Sequence, residues 1–252
     1  MFAFASGPDV GNCLHEIIER VDFTQLESDR TSVVIERTLF KYDLADPDRH
    51  RTPIDPQEVV ENLMQQLVTT PLPNTSITLS QISRKHRLDE WRFAIPLQGL
   101  NASKLAALFR EHGSESIKAE YASQVAQLDD KEVRGFLVGI VDLIFEHQGK
   151  WYILDWKSNY LGNSFASYSA EAVQEAMLQH HYILQYHLYC VGLHKYLKTR
   201  LPNYDYDRHF GGVGYVFLRG VNPEQSTGWF WDRPSKEMIQ QISHQSGAVE
   251  YV

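Results

Sequence analysis

The sequence predicts an α/β fold in which a mixed central β-sheet is flanked by helices, and three observations carry that prediction. Amphipathic helical patterns open the chain near Pro8 and return at Asp55. Two β-rich runs, GFLVGIVDLIFEH and KWYILDWKS, are separated only by Gln148 and Gly149. A long helical stretch then leads to another strand-like run, GGVGYVFLRG. Helices before, within and after a group of strands call for a sheet covered by helices.

The elements follow in order. A first helix starts near Pro8 and Asp9, with Leu14, Ile17, Ile18 and Val21 recurring at three- and four-residue steps to give one apolar face. Residues 24–54 carry a mixed pattern that assigns no element. A second helix has a clear start, with Asp55 as N-cap, Pro56 at N1 and Glu58 at N3. Val59, Leu63, Leu67 and Val68 form its expected buried stripe, and Pro71 and Pro73 end it. LDEWRFAIPL reads as a strand, with Leu88, Glu90, Arg92 and Ala94 on one face and Asp89, Trp91, Phe93 and Ile95 on the other. SKLAALFREHG is a short helix stopping at Gly113, a long helical region runs from about Ser169 to Leu201, and a last helix covers roughly 235–244. No repeat or Gly/Ser linker divides the 252 residues, so one domain is expected.

Composition limits the function classes. No run approaches 18 uninterrupted apolar residues, and the N-terminus lacks a basic region and an adequate apolar core. A cytoplasmic protein with no membrane partner is therefore expected. With two cysteines, Cys13 and Cys190, a four-cysteine zinc or iron–sulfur site within the chain is ruled out. The net charge of −8 argues against a general DNA coat, because non-specific DNA affinity comes from Lys and Arg on phosphates. Any DNA path must be a local basic strip, a metal-bridged contact or a partner's surface. No GxxxxGK[ST] run occurs, so the chain has no P-loop motor of its own.

The hairpin carries the chemistry. If Gln148 and Gly149 are the turn, opposed residues sum to 297, so His147 faces Lys150 and Asp142 faces Asp155. Opposed residues share a face with Cβ atoms roughly 4.5–5.5 Å apart, and the two-residue period adds Lys157 to that face. Two carboxylates and an ammonium then lie together on a sheet otherwise written in apolar and aromatic residues. Paired carboxylates repel unless a cation or shared proton intervenes. Oxygen ligands of this kind suit Mg²⁺, and Mg²⁺ with a lysine suits phosphodiester hydrolysis. A bland account also fits: Asp142 as a polar strand end and Asp155–Lys157 as a structural ion pair.

At these residues the sequence closely resembles the RecB-type nuclease domains of the PD-(D/E)XK nuclease superfamily. The matching blocks are GNCLHEIIE, GIVDLIF, ILDWKSNYLG, LQYHLYCVGLHKYL and NYDYDRHFGGVGYVFLRGV, in the family's order and spread over both ends of the chain. The resemblance implies that His15, Asp142 and Asp155 ligate the metal and that Lys157 is the catalytic lysine. It places Glu90 at a further acidic motif, and Gln185 and Tyr189 in a helix motif near the DNA backbone. Trp156 stands where tyrosine is more usual. Implied too are a Mg²⁺ cofactor, with Mn²⁺ or Ca²⁺ as alternative occupants, and single-stranded DNA as substrate in double-strand-break repair and recombination. The expected partners are a RecB helicase region in cis, the RecC and RecD subunits and, at family level, RecA; the chain would then be a domain of a longer helicase–nuclease. The competing reading is a catalytically silent nuclease fold that docks DNA or protein.

Overall fold

The first two helices divide what the local sequence could and could not announce. In this computed structural model, which describes residues 1–114, 118–128, 133–245 and 250–251, helix α1 spans Pro8–Arg20 and buries Val10, Cys13, Leu14, Ile17 and Ile18. The unassigned stretch holds helix α2, Asp29–Lys41, whose buried face is only Thr31, Ile35, Thr38 and Leu39. Two threonines in the inward stripe weaken the 3.6-residue hydrophobic signal, which is why the pattern hides it. Helix α3, Pro56–Thr69, begins as expected: the Asp55 side chain accepts from the Gln57 and Glu58 N–H groups, an arrangement typically worth about 1 kcal/mol. Its buried stripe is Val60, Leu63, Met64, Leu67 and Val68, with Val59 turned to the edge.

Strand β1 (Arg87–Leu100) leads to helices α4 (Ala102–His112) and α5 (Lys118–Val125), and then to the hairpin of β2 (Val133–His147) and β3 (Lys150–Lys157). Helices α6 (Ala170–Gln179) and α7 (Tyr182–Arg200) connect β3 to the short helix α8 (Tyr206–His209) and strand β4 (Phe210–Phe217). Strand β5 (Trp229–Asp232), helix α9 (Lys236–His244) and strand β6 (Glu250–Tyr251) complete the described chain. The sheet runs β5-β4-β3-β2-β1-β6. Among the described residues only the β3–β4 pair is parallel, so the sheet is mixed as the sequence predicts. None of the described helices is long and apolar enough to cross a membrane.

The sheet separates two cores. One packs Leu143, Phe145, Tyr152, Leu154 and Trp156 against α1, α2 and α3. The other packs Ile144, Ile153, Tyr215 and Phe217 against α4 through α7 and α9. Both cysteines are free and buried, one in each core.

The hairpin register is the expected one: the ladder pairs His147 with Lys150 and continues through Leu143 with Leu154. Gln148 and Gly149 both have positive φ, 51° and 79°, the mirror-image turn that matches strand twist.

Two expectations are corrected. The region from Ser169 to Leu201 is two helices, broken where His181 adopts a left-handed φ of 55°. The Tyr121 hydroxyl accepts the Leu184 N–H at 3.1 Å, satisfying a donor that the new helix end leaves free. The alternation along β1 also breaks. Trp91, Phe93 and Ile95 face the α7 side, whereas Asp89 pairs with Leu143, whose side chain lies in the other core. The switch occurs at Glu90, which has φ of 51°. Across from it β2 switches too, since Val141 lies in one core and Leu143 in the other. A glutamate in the left-handed region is strained, and such strain concentrates at functional sites.

Candidate active site

The ladder between β2 and β3 ends at Leu143 and Leu154, and Asp142 takes over where it stops. Its Oδ2 accepts the Trp156 N–H at 2.7 Å, so the carboxylate does the work of the missing strand carbonyl. The Trp156 carbonyl in turn accepts from His15 Nε2 at 3.1 Å. His15 Nδ1 lies 3.4 Å from Asp142 Oδ1. Helix α1 reaches this position because residue 11 is glycine: a Cβ there would sit 3.0 Å from Ser158 Oγ, just past the end of β3.

Glu90 completes the group. One donor atom each from His15, Glu90 and Asp142 lie within 4.8 Å of one another. The backbone switch at Glu90 turns its carboxylate toward this cluster. Burial and the neighbouring Asp142 charge raise the Glu90 pKa. For His15, burial alone would depress it, but the hydrogen bond and charge of Asp142, with Asp155 and Glu90 behind them, hold it above the ordinary value. Each shift says that this corner is too negative by itself.

Asp155 is almost completely buried, at 2% exposure. Burial first, and then Asp142, push its carboxyl well above the usual range, while Lys157 opposes them. Lys157 Nζ lies 2.5 Å from Asp155 Oδ1, yet that oxygen accepts no directed hydrogen bond. Burial, and then the nearby Asp155 and Asp142 charges, raise the pKa of the Tyr189 hydroxyl.

The lysine is boxed in from the other sides. Gln185 Oε1 accepts from Lys157 at 3.3 Å and from the Tyr215 hydroxyl at 2.8 Å. The ammonium also stands 4.0 Å from the Tyr182 ring centroid and 4.9 Å from that of Tyr215. Helix α7 comes close enough because the Phe93 ring fits between glycines; a Cβ on Gly192 would sit 3.0 Å from that ring, and one on Gly139 2.4 Å.

All the candidates named from sequence thus converge, in two groups. His15, Glu90 and Asp142 gather as one possible ligand set, with Glu90 a closer member than the sequence suggests. Asp155 lies outside that set and pairs with Lys157, Gln185 holds Lys157, and Tyr189 stands near enough for the Asp155 charge to raise its hydroxyl pKa. Tyr182 and Tyr215 escaped the sequence reading. Tyr182 left a faint signal, three residues before Gln185 on one helix face. Tyr215 left none, because it reaches Asp155 only through the parallel β3–β4 register.

The donor set fits a divalent cation. Three convergent N and O donors, with the pKa values of His15 and Glu90 raised, are what a hard cation would satisfy. Comparison with known proteins identifies the family of the fold. The sequence profile of the PD-(D/E)XK nuclease superfamily matches residues 2–246. The chain belongs to that superfamily. Within it, the chain is 35% identical over 248 residues to the RecBCD enzyme subunit RecB of Haemophilus influenzae, covering 94% of this chain and 18% of the relative. It is 36% identical over 254 residues to RecB of Escherichia coli, covering 94% and 19%. RecB of Mycobacterium tuberculosis is 36% identical over 160 residues, covering 58% and 14%. The chain therefore spans less than a fifth of the length of these relatives.

Proposed function

We propose that this chain is the DNA-hydrolysing domain of a RecBCD-type helicase–nuclease in the cytoplasm, cleaving phosphodiesters in single-stranded DNA delivered by a helicase region in cis, with RecC- and RecD-type subunits as partners. The observation that carries the reading is the meeting of His15, Glu90 and Asp142 within 4.8 Å, beside the buried Asp155–Lys157 pair, on a nuclease-superfamily fold. Mg²⁺ is the proposed cation. Bound there, it would lower the pKa of a water and offset charge on the phosphate.

The chain's own residues divide the rest of the work. His15, Glu90 and Asp142 supply donors, and Asp155 is the fourth group proposed to face the cation. Lys157 brings a fixed positive charge to the attacked phosphate, where its worth lies in already being oriented. Gln185 and Tyr215 fix that orientation. Gln185 and Tyr189 are also proposed to approach the DNA backbone. A silent docking module has less support, since a dead copy has no need to hold a strained Glu90 and a buried ion pair side by side.

The test is digestion of linear single-stranded DNA by this chain with Mg²⁺ and then with EDTA. Cleavage in the first alone is expected. DNA binding without cleavage under any divalent cation would favour the silent module.

A further inference from the structure

Helix α2 presents an unusual outward face for a chain of net charge −8. Arg30, Val33, Arg37, Phe40 and Lys41 fall within an arc of about 100° on an ideal helix, opposite the buried Thr31, Ile35, Thr38 and Leu39. No acidic residue lies within that arc; Asp29 and Glu36 flank its Phe40 edge. Phe40 is 79% exposed and Val33 39%. Arg30 and Arg37 are exposed, and neither forms an ion pair among the described residues. A single exposed phenylalanine is ordinary. One flanked by unpaired guanidiniums is the combination that single strands use, an aromatic face for a base and cations for phosphates.

The stripe also leads somewhere. At its C-terminal end, Lys41 and Tyr42 line an open basin of about 530 Å³ whose other walls include Arg20, His15, Glu90 and Asp142. Lys41 and Arg20 both rest on Glu16, at 2.6 and 2.8 Å, and with Glu19 also on the rim these two cations are matched by two carboxylates. The unpaired cations therefore lie on α2, and the carboxylates lie at the end of the path.

We propose that the outward face of α2 is the track that carries single-stranded DNA to the active site, with Phe40 stacking on a base and Arg30 and Arg37 holding phosphates. This rests on the proposed DNA-hydrolysing function and adds the route by which the substrate enters. It also answers how an acidic protein holds DNA: by one short strip of exposed, unpaired arginines on an otherwise acidic chain.

The test is fluorescence anisotropy of a labelled oligo(dT) 20-mer with this chain in EDTA, over a series of salt concentrations. Phe40→Ala should weaken binding by about fivefold to a hundredfold with the salt slope unchanged. The double variant Arg30→Gln, Arg37→Gln should weaken binding and flatten the log–log salt slope by about 1.4, two phosphates at about 0.7 each. Melting temperatures should stay at the wild-type value, because all three side chains are exposed. Unchanged affinity in the variants, or no binding by the wild type, overturns the track. So does a loss of affinity that coincides with a changed sedimentation coefficient, which would assign the face to contact between copies. Cleavage with Mg²⁺ is scored separately. Wild-type cleavage with an unaltered KM in the variants removes the track and leaves the nuclease standing. Wild-type binding without cleavage does the reverse.

Discussion

The two halves of the active site solve the same electrostatic problem in opposite ways. On the α1 side, His15, Glu90 and Asp142 are only half-buried and face one another, and the pKa values of His15 and Glu90 are raised. On the α7 side, Asp155 is buried deeper but answered from within by Lys157, and Lys157 is answered by Gln185. The first half has its charge left uncompensated, and a cation would relieve it. The second is preorganised, its parts already held before any ligand arrives. Preorganised charge acts strongly in catalysis because little reorganisation remains at the moment of reaction. The contrast predicts that variants of His15, Glu90 and Asp142 lose metal response, whereas variants of Lys157 and Gln185 lose rate.

The largest effect should come from Asp142→Asn, which keeps an acceptor for the Trp156 N–H and removes only the charge. Cleavage should fall by about 10²–10³-fold or more. The rise in melting temperature on adding Mg²⁺, a mass-action effect of binding to the folded state, should shrink or vanish. An undiminished rise would break the division between the halves.

Next is Lys157→Gln, expected to lower turnover by about 10²–10⁴-fold while leaving the Mg²⁺-induced rise in melting temperature intact. If metal response and rate fall together, the ammonium belongs to the cation site and the two halves are one.

Smaller again is Gln185→Ala. It removes the acceptor shared by Lys157 and Tyr215, at a net worth of about 1 kcal/mol per hydrogen bond. Turnover should fall by roughly tenfold with KM little changed, and Gln185→Glu, which restores an acceptor, should recover part of it. A rise in KM alone would move Gln185 from holding the lysine to contacting DNA.

The smallest effect separates the site from the helix that carries it. His194 on α7 is depressed to about 4 by burial and by surrounding cations, Lys198 and Lys195 foremost. Its unfolded value is about 6.5. The unfolded chain thus binds more protons than the folded one across this interval. Stability should be full above about pH 6.5 and decline as the pH falls toward 4. His194→Gln should flatten that decline in a melting-temperature series. An unchanged acid limb would place the sensitivity elsewhere, with the fully buried His187 as the next group to examine.

Sequence by itself determined what depends on neighbours along the chain. The Asp55 cap, the inward face of α1 and the two-residue turn at Gln148–Gly149 are set by local geometry, and the turn fixes the register as far as Leu143 and Leu154, one step short of Asp142 and Asp155. The superfamily was legible because its motif residues sit within such local blocks. Tertiary structure decided the rest. The left-handed Glu90 is tolerated because β2 switches faces opposite it, and no pattern within β1 announces that. The break at His181 is completed by the hydroxyl of Tyr121, 63 residues from the amide that it caps. Helix α2 hid because its buried face includes two threonines, which only packing against α1 and α3 makes an interior. His15 meets the Trp156 carbonyl across 141 residues. Such contacts follow from which elements the two cores draw together, and hydrophobic burial, being non-directional, leaves no local signature of that choice.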